Sequence, residues 1–162
     1  MSMLSGVNLT QLKQCIIEPS LADLGLGGDV AVNLLAGTAL VESRGAYLKQ
    51  VGGGPALGLW QMEPATHDDC WNNYLRYSGA RHYAVILEGM LAQDQPRCQQ
   101  LVSNLRYACA MARTRYFRAR DALPSVSDPQ ALSRYHKVWY NTCLGAADAQ
   151  ANVALFQAAI KA

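Results

Sequence analysis

The sequence has little net charge, no long apolar run and no closely spaced cysteine pair. Fourteen lysines and arginines are scattered among twelve acids, which gives a formal charge of +2. Because the basic residues form no tail or stripe, we predict no nucleic-acid partner. No stretch reaches the roughly 18 apolar residues of a membrane span, and the N-terminus lacks the basic start and apolar run of a signal peptide. We therefore expect neither feature.

The cysteines and histidines form no metal-binding pattern. Five cysteines stand at wide spacings without a CxxC pair, at Cys15, Cys70, Cys98, Cys109 and Cys143. We interpret them as small apolar residues in helical cores of a protein made in a reducing compartment. His67, His82 and His136 have neither mutual ligand spacing nor an HExxH arrangement. The sequence therefore predicts no metal and no other cofactor.

Apolar residues at helical spacing dominate what is present. About half of the 162 residues are apolar, 51% by count. That is enough for one domain, residues 1–162, around a single core. Apolar residues recur at every third or fourth position, whereas the alternation typical of strands is rare. The predicted fold class is mainly α, with a glycine-rich loop or small hairpin.

Capping residues and prolines set the expected helix boundaries. The predicted helix starts lie at a polar cap or a first-turn proline: Asn8 or Thr10, Asp29, Pro64 with Thr66, Pro96, Asp128 with Pro129, and about Ala146. A further apolar stretch covers 83–91. We expect the helix from Asp29 to close near Gly45, the helix from Pro96 to end between Phe117 and Leu123, and the last helix to end at Lys161.

Glu42 ends the apolar stripe of the helix that starts at Asp29. Burying a carboxylate is costly unless the group is paired or used, and burial favours its protonated form. A general acid needs that form near neutral pH. Two alternatives are a solvated glutamate in the last turn and a salt bridge to Arg44.

The helical pattern disappears between Gly45 and Met62, where glycines accumulate. The segment ends with Gly58, Leu59, Trp60, Gln61 and Met62. Glycines let backbone approach a ligand closely, a glutamine both donates and accepts hydrogen bonds, and an aromatic ring offers a face to a sugar. This composition suits a carbohydrate cleft. The alternative is a plain surface hairpin.

Three short motifs follow one another along the chain: Glu42-Ser43; Gly58-Leu59-Trp60-Gln61 with Pro64 and Thr66; and Tyr140-Asn141. In this order the chain resembles the soluble lytic transglycosylase and goose-type lysozyme group, from about Asp29 to Gly145. The resemblance implies a lysozyme-like helical domain whose active-site cleft lies beside the glycine-rich loop. It implies that Glu42 is the catalytic acid and base. The substrate-binding residues that it implies are Ser43, Gly58, Leu59, Trp60, Gln61, Met62, Tyr140 and Asn141.

Two positions depart from the pattern of that group. Trp60 stands where the group usually has methionine, and it would either strengthen sugar stacking or fill core space. Cys143 stands where a glycine commonly follows Tyr-Asn, which alters the local turn near Asn141, although Gly145 is close by in sequence.

The activity implied by the resemblance is lytic transglycosylation of peptidoglycan. Glu42 alone would cleave the β-1,4 bond between N-acetylmuramic acid and N-acetylglucosamine, a lyase reaction that gives 1,6-anhydro products. A hydrolytic muramidase would need a second carboxylate. The candidates are Glu63, Asp68 and Asp69, of which the two aspartates are expected on the exposed first turn of a helix.

Two alternatives come from other functional classes. One is a catalytically weak glycan-binding module, for which the departure at Cys143 is the motive. The other is a structural helical protein of a virion or a secretion machine, in which Glu42 is incidental.

The expected partner is the glycan strand of the bacterial cell wall. Because no signal peptide is visible, we expect synthesis in the cytoplasm and action on the periplasmic wall. Delivery would then depend on a bacteriophage virion, a holin that releases an endolysin, or a secretion apparatus.

Overall fold

Helices make up most of the protein. The computed structural model describes residues 6–141 and 148–162. Its α-helices are α1 (Leu9–Leu12), α2 (Glu18–Leu24), α3 (Asp29–Ser43), α4 (Pro64–Cys70), α5 (Arg81–Gly89), α6 (Gln100–Ser103), α7 (Leu105–Phe117), α8 (Pro129–His136) and α9 (Ala149–Lys161). Short π-helical segments continue α1, α4 and α8, over Lys13–Ile17, Trp71–Leu75 and Lys137–Asn141, and a 3₁₀ turn, Ser78–Ala80, precedes α5. The mainly α class is confirmed.

Helix α3 runs through the centre of the core. All residues from 31 to 39 are buried, including the polar Asn33 and Thr38, and the mostly apolar character of this segment predicts such burial. Helices α7, α8 and α9 pack against it. The contact with α9 is close enough that a Cβ on Gly37 would come within 2.2 Å of the Phe156 ring. Glycine at this position therefore lets the two helices approach.

Local capping chemistry explains where several helices begin. The side chain of Asn8 accepts a hydrogen bond from the backbone N–H of Gln11 at 3.0 Å. Asp128 accepts one from Ala131 at 2.7 Å. Asp128 is the predicted cap, and Asn8 is one of the two residues, Asn8 and Thr10, that were predicted for the first helix. Each cap satisfies a donor that has no partner within its helix.

Two predicted starts need small corrections. Gly28, rather than Asp29, is the cap of α3, and Asp29 lies in the first turn, where its charge complements the helix dipole. Helix α9 begins at Ala149 behind Asp148, whose carboxylate accepts hydrogen bonds from two backbone N–H groups. Ala146 lies outside the described residues.

The long helix predicted from Pro96 is wrong in its first part. The chain becomes helical only at Gln100, and it breaks at Asn104, whose φ of −122° and ψ of 91° are extended. Asn104 caps α7 by accepting from the N–H of Tyr107 at 3.0 Å. Gln100 is held by the loop before it, because its side chain both accepts from and donates to the backbone of Ala92. These polar contacts override the apolar spacing.

Residues 44–63 form a loop that joins α3 to α4. Isolated bridges pair Lys49 with Leu57 and Leu57 with Met62. They do not extend into a ladder, and residues 6–141 and 148–162 contain no strand. The loop therefore folds back on itself without forming the regular hairpin that the sequence left open.

The cysteines differ in environment. Cys70 and Cys109 are buried in the core, as expected, whereas Cys98 is half-buried and Cys15 is exposed; all four are free thiols. Burial raises the pKa of the Cys70 thiol, which keeps it protonated. Cys143 lies outside the described residues. In the described part of the chain, no helix is long and apolar enough to span a membrane.

Candidate functional site

Glu42 lies in the last turn of α3 and contacts a histidine of α8. The Glu42 side chain is 16% exposed, and its Oε1 lies 2.7 Å from Nε2 of His136, which is 1% exposed. From the sequence, Arg44 was considered as a salt-bridge partner of Glu42, but the partner in the structure is His136. Arg44 instead ends α3 with a left-handed φ of 57° and is exposed.

Aromatic side chains enclose the Glu42–His136 pair. The His136 ring stacks on Tyr140 with centroids 5.8 Å apart and planes 22° apart, and Phe156 lies 5.8 Å away. The ring centroids of Tyr116 and Tyr140 are 5.0 Å apart, and the hydroxyl of Tyr116 lies 2.8 Å from the hydroxyl of Thr38. Burial raises the pKa of both tyrosines, and the charge of Glu42 raises it further. Both phenols therefore remain neutral.

Two hydrogen bonds join the three sequence motifs. Ser43 Oγ donates to the carbonyl oxygen of Leu59 at 2.7 Å. The hydroxyl of Tyr140 donates to the next carbonyl, that of Trp60, at 2.6 Å. Two consecutive carbonyl groups of the loop are thus bonded, one to the end of α3 and the other to the segment after α8. Ser43 and Tyr140 are both buried, so they contact this backbone rather than open solvent.

The apolar side chains of the loop motif belong to the core. Leu59, Trp60 and Met62 are each 1% exposed. The indole N–H of Trp60 donates to the carbonyl oxygen of Leu35 in α3 at 2.9 Å. Of the two roles considered for Trp60, the structure shows core filling. The side chains of Leu59, Trp60 and Met62 are therefore enclosed by the protein and do not face a ligand.

Gln61 closes the turn at the end of the loop. Its backbone N–H and its side-chain amide both donate to the carbonyl oxygen of Gly58, at 3.0 and 2.8 Å. Gln61 has a φ of 45°, an unusual conformation for a residue with a side chain. Its half-buried side chain is thus engaged within the turn in this state.

Asn141 ends the π-helical segment that follows α8. It is half-buried, and its side-chain oxygen accepts a hydrogen bond from Lys137 Nζ at 3.3 Å. The altered turn expected from Cys143, and the nearby Gly145, lie outside the described residues.

A surface cleft of about 470 Å³ opens between α4, the end of α7 and the segment after α8. Its lining residues are Ala65, Thr66, Asp69, Arg115, Arg118, Ala119 and Trp139. Glu42 does not line this cleft, but Arg115 connects the two places. Arg115 donates to the carbonyl oxygen of Tyr140, and its guanidinium lies 4.4 Å from the Tyr140 ring centroid. Arg115 is therefore both part of the cleft wall and in contact with Tyr140, the residue that stacks on His136.

The rival carboxylates have distinct environments. Glu63 and Asp68 are exposed, and Asp68 is 2.9 Å from Nδ1 of His67. Asp69 lines the cleft and accepts hydrogen bonds from Asn73 and Arg118, both at 2.7 Å. These two bonds lower the pKa of Asp69, so it is ionised near neutral pH.

The predicted position of the two aspartates in α4 was wrong. Because this helix starts at Pro64, Asp68 and Asp69 lie in its last turn rather than its first. The expected exposure is correct.

His136, the partner of Glu42, was not predicted from the sequence. The signal was its spacing from Tyr140, four positions later, because residues four apart lie on one face of a helix. Arg115 was also missed, since nothing local to α7 marks its contact with Tyr140. Within the residues that the structure describes, no group of three histidine, cysteine or acidic side chains is placed to hold a metal ion.

Comparison of the chain with protein-family models, with curated proteins and with solved structures found no significant match.

Proposed function

We propose that the chain is a peptidoglycan lytic transglycosylase with a lysozyme-like fold and with Glu42 as its catalytic acid and base. One observation carries the proposal: the half-enclosed carboxyl group of Glu42 adjoins a cluster in which all three motifs meet. Glu42 and Tyr140 are far apart in sequence, so their meeting depends on the fold. A fixed carboxyl group in a partly desolvated position suits general acid catalysis.

The proposed reaction needs one carboxyl group. Glu42 donates its proton to the glycosidic oxygen, and the bond from C1 of N-acetylmuramic acid to that oxygen breaks. The acetamido oxygen of the same sugar stabilises the positive charge at C1. The Glu42 carboxylate then takes the proton of the C6 hydroxyl while O6 bonds to C1. Glu42 is protonated again, and the product is a 1,6-anhydro sugar formed without water.

The cleft beside Arg115 supports a glycan substrate. Trp139 is half-buried at its wall, so part of the indole is free to stack on a sugar ring. Thr66 and Arg118 provide polar groups at the same wall. A mostly apolar surface with a few polar groups is typical of small ligand sites. We propose that this cleft holds sugar units on one side of the scissile bond.

The test is the chemical form of the products released from purified peptidoglycan. Mass spectrometry of muropeptides from the wild-type chain should show products one water lighter than reducing-end muropeptides. Tight binding of chitooligosaccharide without any product would instead indicate a glycan-binding module. Neither binding nor product would indicate a structural protein.

A second candidate function is a hydrolytic muramidase, favoured by the position of Asp69. This ionised carboxylate lines the cleft, and ionisation is the state that a base or nucleophile requires. Its hydrogen bonds to Asn73 and Arg118 oppose that role because they occupy the carboxylate. Reducing-end products that disappear in Asp69→Asn would establish this alternative, whereas anhydro products retained in Asp69→Asn would exclude it.

We also propose delivery by a virion, a holin or a secretion apparatus. It is based on the free thiols of the described cysteines, which suit synthesis in a reducing compartment, whereas the proposed substrate lies in the cell wall. Flanking genes for ordinary envelope maintenance would contradict it.

A further inference from the structure

We propose that His136 is a positioning residue that fixes Oε1 of Glu42 and thereby assigns the acidic proton to Oε2. The inference rests on the proposed function and names a residue that neither the motifs nor the resemblance assigned. It starts from the 2.7 Å contact between His136 Nε2 and Glu42 Oε1.

The surroundings of His136 restrict its ring. The side chain is 1% exposed and lies between Tyr140 and Phe156, each with its ring centroid 5.8 Å away. The helix that carries His136 packs against both α3 and α9. A ring enclosed in this way has little freedom to rotate, so its Nε2 defines a fixed point for the carboxyl group.

One tautomer of His136 serves both protonation states of Glu42. With the proton on Nε2, the imidazole donates to Oε1 when Glu42 is an acid whose proton is on Oε2. It donates to the same Oε1 after that proton has moved to the glycosidic oxygen. The bond is kept through the proton transfer, so the carboxyl group does not have to reorient. Oε2 is then the oxygen that exchanges a proton with substrate.

The other described polar groups near this pair form their hydrogen bonds elsewhere and do not hold the Glu42 carboxyl group. Tyr140 and Tyr116 face the carboxyl group with neutral phenols, because burial raises the pKa of both. Their described hydrogen bonds run to the carbonyl of Trp60 and the hydroxyl of Thr38. The guanidinium of Arg115 donates to the carbonyl oxygen of Tyr140 and lies over the Tyr140 ring. Among these groups, the described bond to Glu42 is that of His136.

The kinetic test compares His136→Gln with His136→Phe. Glutamine reaches about as far as Nε2 and keeps an N–H donor, whereas phenylalanine keeps the ring between Tyr140 and Phe156 and removes the donor. For His136→Phe we expect kcat to fall by about 10²-fold, the order that a displacement of about 1 Å costs, with KM little changed. His136→Gln should restore most of kcat. His82→Phe, the same change at an exposed histidine of α5, is the matched control and should behave as wild type.

A spectroscopic test does not depend on variants. In wild-type protein labelled with ¹⁵N-histidine, Nε2 of His136 should show the shift and one-bond proton coupling of a protonated nitrogen. An unprotonated Nε2 would overturn the proposal, because Glu42 would then be the donor. Wild-type kcat in His136→Phe, or no rescue by a folded His136→Gln, would also overturn it. A wild-type chain that yields no product would contradict the proposed function instead.

Discussion

The hydroxyl of Tyr140 donates a 2.6 Å hydrogen bond to the carbonyl oxygen of Trp60, and both residues are buried. This bond ties the segment after α8 to the loop that follows Glu42. Since the Tyr140 ring also stacks on His136, one side chain supports both the loop and the partner of the proposed acid.

Tyr140→Phe tests that support. The substitution leaves the buried carbonyl of Trp60 without its donor, which should lower the free energy of unfolding by about 1–3 kcal/mol. Muropeptide release should fall as well. Urea unfolding and the release assay measure the two effects, and Tyr77→Phe, at a tyrosine that is 55% exposed, should change neither. Unchanged stability and rate in Tyr140→Phe would show that the bond from Tyr140 to Trp60 supports neither the fold nor the activity.

Two tryptophans are expected to separate binding from stability. Trp139 is half-buried at the cleft wall, whereas Trp60 is 1% exposed and bonded to Leu35. Trp139→Phe should weaken chitooligosaccharide binding and abolish the saccharide-induced change in tryptophan fluorescence. Trp60→Phe should keep that change but lower the melting temperature, because the buried indole hydrogen bond to Leu35 and part of the core packing of Trp60 are lost. The opposite pattern would place the sugar against Trp60.

The loop depends on glycine at position 58. A Cβ on Gly58 would lie 1.9 Å from the carbonyl oxygen of Leu101, and the φ of Gly58 is 76°. Gly52 has a similar φ of 87° with nothing within 4 Å of a Cβ. Both alanine variants are strained by the positive φ, but only Gly58→Ala adds a clash with backbone. Gly58→Ala should therefore be less stable than Gly52→Ala by about 1–3 kcal/mol in urea unfolding. Equal losses would mean that the loop moves freely away from Leu101.

Much of the fold, but less of the site, follows from local sequence signals. Asn8, Asp128 and the apolar run of α3 were sufficient to place helices, because caps and periodicity act within a few residues. The break at Asn104 was also marked locally, by a good cap residue, but the apolar spacing across it concealed the signal. The Glu42–His136 contact arises when α8 packs against α3, and its one sign in the sequence was the spacing of His136 from Tyr140, which does not point to Glu42.

The buried network at His67 predicts a pH dependence of stability. Nδ1 of His67 lies 2.9 Å from the Asp68 carboxylate and donates to it. In the neutral imidazole Nε2 therefore carries no proton and accepts from the hydroxyl of Tyr107 at 2.8 Å, and that hydroxyl accepts from the indole N–H of Trp71 at 2.9 Å. Burial lowers the pKa of His67 below its ordinary value of 6.5. The folded chain therefore holds this histidine neutral where the unfolded chain binds a proton.

Stability from this source is complete above a pH of about 6.5 and is lost as the pH falls towards the lower pKa of the folded state. Urea unfolding at about pH 7.5 and about pH 5 should show a loss in the wild type that is smaller in His67→Gln. His82→Gln, at an exposed histidine, should keep the wild-type pH dependence. A wild-type loss that persists fully in His67→Gln would assign the effect to other groups.

The catalytic role of Glu42 is tested by the rate of muropeptide release by Glu42→Gln, measured beside Glu63→Gln. Both variants make the same chemical change, but Glu63 is an exposed residue of the loop end, whereas Glu42 bonds to buried His136. We predict that Glu42→Gln folds and loses about 10²- to 10⁴-fold in rate, as expected for removal of a general acid and base, while Glu63→Gln keeps the wild-type rate. A folded Glu42→Gln protein that releases anhydro muropeptides at the wild-type rate would contradict this prediction.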